Sequence, residues 1–311
     1  MQKFATIEAV KTALNEMGVK ARLNVISGMP DIHGLDSVNP VEVLLIDVRD
    51  HLINAGYKAS MKEISELLAV VVDENRYNPV QKMLNSTSWD GRDRINELAN
   101  DIIGVKTEQE AKYGKRWLHQ TVAMAFNGDT DTNVGNDGHD DNGDHDYDLY
   151  GAEGVLVLVG RQGNGKTRLF SKLAVSHKWF NEGGLLDFDE DSLFINTSHW
   201  ITELCYVDNL GSREKAFLTA SEDFYRPAYI RDITKKPRRT SFCATLNAMP
   251  EQTDSSANRR LWIVDADNLN LDRVQAIDVN WVKQLWKQVY EELYLPNPQG
   301  FRSDDKASNS R

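Results

Sequence analysis

The residues with the clearest chemistry are Gly160-Arg-Gln-Gly-Asn-Gly-Lys166-Thr167. They fit the spacing G-x-x-x-x-G-K-[ST] in full. An apolar run, GVLVLV over 154–159, precedes them, and a helix-forming run, RLFSKLAVSHK, follows. Strand, glycine loop and helix in that order form a phosphate cradle. Gly160, Gly163 and Gly165 let backbone N–H groups curl around an anion, with Asn164 and Arg168 alongside. The positive end of the following helix points at the same place. Lys166 is placed to reach the β- and γ-phosphates of a nucleotide, and the Thr167 hydroxyl to hold Mg²⁺.

Such a loop hydrolyses only with a carboxylate on a neighbouring strand tip. The run WITELCYVD supplies Glu203 as first choice, for metal and for water, and Asp208 as second. The aspartates of LLDFDED (Asp187, Asp189, Asp191) read as turn and helix-cap residues. Next comes SFCATLN, an apolar strand ending in the amide of Asn247. An amide there can bond the attacking water or a γ-phosphate. Arg259 and Arg260 then stand just before another strand. Paired arginines often form a solvated edge, but an arginine from a neighbouring subunit can stabilise charge on a transferred phosphoryl group.

A basic segment, YRPAYIRDITKKPRRT, runs from 225 to 240. Arg226, Arg231, Lys235, Lys236, Arg238 and Arg239 face one acid, Asp232, with Tyr225 and Tyr229 interleaved. Cations neutralise phosphates and aromatic faces stack on unpaired bases, so the segment is a candidate for single-stranded nucleic acid. Its bland alternative is a solvated hairpin.

These residues need elements to position them. Strands at 154–159, 200–204, 241–246 and 261–264 alternate with helices at 168–176, 213–224 and 279–293. That pattern predicts an α/β fold with a mostly parallel sheet. Upstream, 85–103 reads as a turn, WDGRD, feeding a helix, and 108–126 as a second amphipathic helix, whose His119 reads as structural. Residues 6–17 and 41–55 carry helical periodicity, 20–27 fits a short strand, and Ser60 to Glu63 is a capping-box spacing opening a helix to about Val71. The expected organisation is a small, mainly helical, winged-helix-like unit over 1–84, a nucleotide-binding domain over 85–295, and a flexible tail over 296–311.

The chain has 311 residues, 41% hydrophobic and 27% charged, enough to bury a core. No stretch approaches the ~20 apolar residues of a membrane helix, and the first residues lack the apolar block of a secretion signal. Cys205 and Cys243 form no framework, which fits a reducing cytoplasm. The net charge of −11 argues against nucleic acid only at first sight. Eight of those charges are aspartates between Gly128 and Asp148, in a stretch with no lysine or arginine. That stretch, with His139 and His145, reads as a solvated loop; it has no glutamate at the twelfth position of a calcium loop.

The order WDGRDRINEL, GRQGNGKT, WITEL, YRPAYIRD, ATLNAMPE, NRRLWIV and QLW resembles the virulence-associated protein E family, over roughly 85–293. Those are P-loop ATPases of phages, prophages and mobile islands, related to superfamily 3 helicases. The resemblance implies an AAA-like core, with the amide-ended strand between the acidic strand and the phosphate-loop strand. It implies Mg²⁺ and ATP as cofactors, with Lys166, Thr167, Glu203, Asn247 and Arg259/Arg260 in nucleotide-handling positions. It further implies a hairpin that grips single-stranded DNA, a homo-oligomeric ring, and a role in replicating a mobile element in a bacterial cytoplasm. No primase segment is visible, so priming is expected from another protein. Relatives usually carry a second acid three residues after the first; here that position is Tyr206. The resulting expectation is an ATP-dependent DNA helicase or translocase. Alternatives are a replication-initiation ATPase without unwinding activity, or an ATP-binding adaptor with little turnover.

Overall fold

The computed structural model describes residues 3–129, 152–186, 189–207, 210–225, 234–249 and 260–294. Two stretches of the expected organisation, the acidic loop beyond Asp129 and the tail from 295, lie outside those residues, as does Asp208.

The N-terminal elements are β1 (Lys3–Phe4), α1 (Ile7–Glu16), β2 (Lys20–Asn24), β3 (Met29–His33), α2 (Pro40–Asn54), β4 (Tyr57–Lys58), α3 (Met61–Glu74) and β5 (Arg76–Tyr77). Local signals explain their limits. Thr6 caps α1 by accepting the Ala9 N–H, and α1 buries Ala9, Val10, Ala13 and Leu14 as one stripe. Ser60 and Glu63 make both bonds of a capping box at the start of α3. The three helices enclose a core with Leu44, Val48, Leu52, Ile64 and Leu68. The sheet β3-β2-β5 adjoins it. The β2–β3 hairpin follows the first helix, so the order of elements differs from a helical triplet with a terminal wing.

The larger part begins with α4 (Pro79–Asn85), α5 (Arg94–Asn96), which continues as a π-helix over Glu97–Ile103, and α6 (Glu108–Ala125). Then follow β6 (Val155–Val159), α7 (Lys166–Leu173), β7 (Phe180–Gly184), α8 (Glu190–Thr197), β8 (Ile201–Leu204), α9 (Ser212–Leu218), β9 (Glu222–Tyr225), β10 (Thr234–Pro237), β11 (Ser241–Leu246) and β12 (Leu261–Asp265). The last helices are α10 (Leu271–Ala276) and α11 (Val279–Tyr294). Five strands form one sheet in the order β12-β6-β11-β8-β7, and every pairing is parallel. The amide-ended strand β11 thus lies between the acidic strand β8 and β6.

All five residues of β6 are buried, because both faces of the sheet are covered. Leu156 and Leu158 join one core with Trp117, Phe170, Trp200 and Trp286. Val155, Val157 and Val159 join the other with Leu204, Phe242 and Leu218. Three buried indoles satisfy their N–H groups on backbone: Trp117 on Phe242 O, Trp200 on Thr121 O and Trp286 on Leu173 O.

The sequence pattern predicts one long helix over 213–224. The helix ends at Leu218, and the chain turns into β9 of a two-stranded hairpin with β10. The pattern also passes over β7, whose sequence FNEGG has one apolar residue; β7 is an edge strand and needs no buried alternation.

Gln288 on α11 clamps the start of α5. Its Oε1 accepts from Arg94 N at 2.8 Å and Ile95 N at 3.3 Å, and its Nε2 donates to Asp93 Oδ1 at 2.9 Å. Gln288→Ala orphans two buried N–H groups. We predict a loss of about 1–3 kcal/mol in unfolding free energy, read by urea denaturation; an unchanged midpoint would show that the clamp carries no stability.

Candidate functional site

The site lies at the carboxyl ends of the parallel strands, where open α/β sheets take ligands. The loop 160–165 leaves β6 between its two neighbours: Gly160 N–H donates to Leu246 O on β11, and Ala266 N–H, just beyond β12, donates to Val159 O. Asp267 Oδ1 accepts the Arg161 N–H at 3.0 Å, and Asn164 Nδ2 reaches Ala266 O at 2.8 Å. Gly165 caps α7 at φ 102, a left-handed conformation, and a Cβ there would meet Leu271 Cδ1 at 2.7 Å. The positive φ favours glycine, and a side chain there would also displace the end of Leu271.

Lys166 is buried at 6% exposure and folds back on its own loop. Its Nζ donates to Gly160 O at 2.6 Å, Arg161 O at 2.9 Å and Asn164 Oδ1 at 3.1 Å. Burial pushes its ammonium below the usual lysine range, against the pull of Asp267 and Glu203. Backbone N–H groups at a helix start, with an ammonium beside them, complement phosphate oxygens.

Glu203 stands next to this loop, 5% exposed. Its Oε1 accepts from Thr167 Oγ1 at 2.9 Å and from Thr245 Oγ1 at 2.7 Å. Its Oε2 is buried with no partner. Burial pushes the carboxyl up, the two threonine bonds pull it down, and the charge of Glu182 adds to the upward push. A half-satisfied buried carboxylate beside a hydroxyl is a donor set for a hydrated hard cation.

A cleft of about 550 Å³ opens over these groups, lined by Gln162, Gly163, Arg168, Thr245, Asn247 and Leu271 among others. Its size suits a nucleotide. The structure therefore brings together Gly160, Gly163, Asn164, Gly165, Lys166, Thr167, Arg168, Glu203 and Asn247. Sequence reasoning missed Thr245 and Asp267. Thr245 was legible in principle, because it lies near the end of the strand that leads to Asn247. Asp267 follows a strand with no motif around it.

Arg260 is not in this group. Leu261 pairs with Val155, so Arg260 sits at the opposite end of the sheet from Gly160. At about 3.3 Å per residue the separation is roughly 20 Å, beyond the reach of one side chain. Arg259 lies outside the described residues.

The basic segment does not expose its cations as the sequence predicts. Of its four described cations only Lys235 is exposed; Lys236, Arg238 and Arg239 are buried. Arg238 donates from Nε and Nη2 to Asp223 Oδ1 at 2.7 and 2.5 Å, and its guanidinium stacks over Phe217. Arg239 pairs with Asp129 at 2.6 Å and bonds Ala125 O at 2.8 Å. Lys236 donates to Thr197 O at 3.0 Å, and burial pushes its pKa down to about 8. These three cations root the β9–β10 hairpin rather than face a nucleic acid. The register explains it: Lys236 lies opposite Asp223, on the inward face, while Lys235 and Phe224 face out. Arg226 and Arg231 lie outside the described residues. His119 faces Glu292 at 3.4 Å, and among the described residues no three His, Cys, Asp or Glu side chains gather as a metal cluster.

A family model described as the virulence-associated protein E-like domain matches residues 84–308. Two solved structures of the NrS-1 C-terminal region, both apo A forms, share the fold. One is 12% identical, with a TM-score of 0.51 over 90% of this chain and 68% of that one. The other, spanning 305–718, is 14% identical, with a TM-score of 0.53 over 91% and 68%. No curated protein matches the sequence.

Asp223→Ala would strand the Arg238 guanidinium in a site where its side chain is 1% exposed. We predict a loss of about 3–5 kcal/mol, read by thermal or denaturant unfolding. A loss under 1 kcal/mol would mean the pair does not hold the hairpin root.

Proposed function

The chain belongs to the virulence-associated protein E-like family, and from that premise we propose that it is an ATP-driven DNA helicase or translocase serving the replication of a phage or other mobile element. The single observation that carries the reading is Glu203. One oxygen is tied to the phosphate-loop hydroxyl and to β11, and the other is held ready and unpaired.

In this reading Lys166 exchanges its three loop acceptors for phosphate oxygens. Thr167 and Glu203 hold Mg²⁺, which neutralises phosphate charge when bound. Glu203 would accept a proton from, or orient, the attacking water. Asn247 contacts the γ-phosphate at the tip of β11. Arg260 is too far from its own loop to act there in the same subunit, so in this reading any contribution from it comes from an adjacent subunit of an oligomer. The outward face of the hairpin, with Lys235 and the 62%-exposed Phe224, is the part of the basic segment that supports contact with single-stranded DNA.

Tyr206 favours a second reading, an ATP-binding adaptor with little turnover. It occupies the position of the relatives' second acid, is 80% exposed, and has φ 57. Steady-state ATP hydrolysis with and without single-stranded DNA separates the two. We predict DNA-stimulated turnover in the wild type. Lys166→Ala should weaken nucleotide binding about 100-fold or more. Glu203→Gln should keep binding and lose about 10²–10³ in turnover. Nucleotide binding without turnover in the wild type would support the adaptor, and unchanged binding by Lys166→Ala would remove the phosphate loop from the account. Turnover without strand displacement on a forked substrate would leave an ATPase that does not unwind. Lys235→Ala should reduce the slope of log binding against log salt by about 0.7; an unchanged slope would move the DNA contact off this face.

A further inference from the structure

The phosphate loop is held from outside by the segment that leaves β12. Ala266 N–H donates to Val159 O, the last carbonyl of β6, and Asn164 Nδ2 donates to Ala266 O at 2.8 Å. A Cβ on Gly160 would meet Ala266 C at 2.9 Å and Asp267 N at 3.0 Å, so the two backbones lie against each other. Asp267 Oδ1 then accepts the Arg161 N–H at 3.0 Å. Asp267 is itself fixed. Its N–H donates to Asp265 Oδ1 at 2.9 Å, a bond that turns the chain at the strand end. Asp265 Oδ2 accepts from Lys106 Nζ at 2.5 Å, and the Asp265 N–H donates to Glu110 Oε1 at 3.0 Å. Glu110 Oε2 closes the capping box of α6, accepting from Thr107 N at 2.9 Å. A chain of bonds thus runs from the start of α6 through Asp265 and Asp267 to the loop.

Two features point beyond a turn residue. The first is charge. The Asp267 side chain is 47% exposed beside a cradle for anions, where a carboxylate opposes the ligand unless its bond to the loop outweighs the repulsion. The second is what holds residue 161 from its other side. Lys166 Nζ donates to Arg161 O at 2.9 Å and to Gly160 O at 2.6 Å. In the ATP reading Lys166 leaves both carbonyls for phosphate oxygens. Among the described residues, the backbone of Arg161 then keeps one side-chain hold, and that is Asp267.

We propose that Asp267 is a positioning residue for the nucleotide: it holds the phosphate loop in its curve while Lys166 passes to the ligand. The inference rests on the ATP reading above. It gives a role to a residue outside the G-x-x-x-x-G-K-[ST] spacing, through the bond from Arg161 N–H to Asp267 Oδ1. A loop already shaped loses less freedom when the ligand arrives, and affinity gains by that difference.

The experiment compares Asp267→Asn with Asp267→Ala in the full chain. Both remove the charge, and only asparagine keeps an oxygen that can accept the Arg161 N–H. Affinity is read with a fluorescent non-hydrolysable ATP analogue and Mg²⁺. Amide hydrogen exchange at Arg161 is followed by NMR with and without the analogue. Asp267→Ala should bind the analogue about 5-fold or more weakly than Asp267→Asn, the effect of one hydrogen bond. It should also lose the protection at Arg161 that Asp267→Asn retains. Melting temperatures of both variants should match the wild type, because the side chain lies at the surface. Equal affinity and equal Arg161 exchange in the two variants overturn the proposal and leave the ATP site standing, with Asp267 a turn residue. A loss in Asp267→Ala that comes with a lower melting temperature and faster exchange throughout the sheet overturns it in favour of a general role in folding. A wild type that does not bind the analogue overturns both this proposal and the reading beneath it.

Discussion

One carboxylate group ties the site together. Glu203 Oε1 accepts two hydroxyl bonds, from the first turn of α7 and from β11, so three neighbouring pieces of backbone share one acceptor. The loop, the acidic strand and the amide-ended strand are thus placed relative to one another by a group taken out of water. Such a group is costly unless its lone pairs are met. Half of it is met within the protein and half, the buried Oε2, is not. The parallel sheet β12-β6-β11-β8-β7 makes this possible, since it brings the ends of β6, β8 and β11 side by side.

A second set of buried charges has a different purpose. Asp223–Arg238 and Arg239–Asp129 sit at the root of the β9–β10 hairpin and connect it to the end of α6. Asn127 adds bonds to Ser221 O and Arg238 O, and Asn78 reaches Ala125 O and Asp129. Ion pairs buried in this way add little net stability over apolar packing, but breaking one partner is severe. They fix where the hairpin leaves the sheet.

Much of this was legible in the sequence, for physical reasons that differ by element. The run 154–159 could be read as a covered parallel strand because five successive residues are apolar, and the strand has both faces buried. Capping showed at Ser60–Glu63, while the equally complete box at Thr107–Glu110 passed unread inside a correctly placed helix. The glycine loop declared its own conformation, since Gly165 must take φ 102 against Leu271. What the sequence hid was pairing across distance. Nothing local tells that Arg238 has Asp223 as a buried partner, so a run of cations reads as a solvated, DNA-facing surface. Nothing local tells that FNEGG is a bulged edge strand set against Glu203. Both depend on strand register, which only the fold supplies.

The most direct test of the central claim is a crystal structure of the chain with Mg²⁺ and a non-hydrolysable ATP analogue. Triphosphate is expected in the loop 160–165, with Lys166 Nζ moved from the Gly160 and Arg161 carbonyls onto phosphate oxygen, and Glu203 Oε2 bonded within the metal's hydration. Phosphates bound elsewhere, with Lys166 still on its own loop and Glu203 Oε2 still unpaired, would contradict the claim.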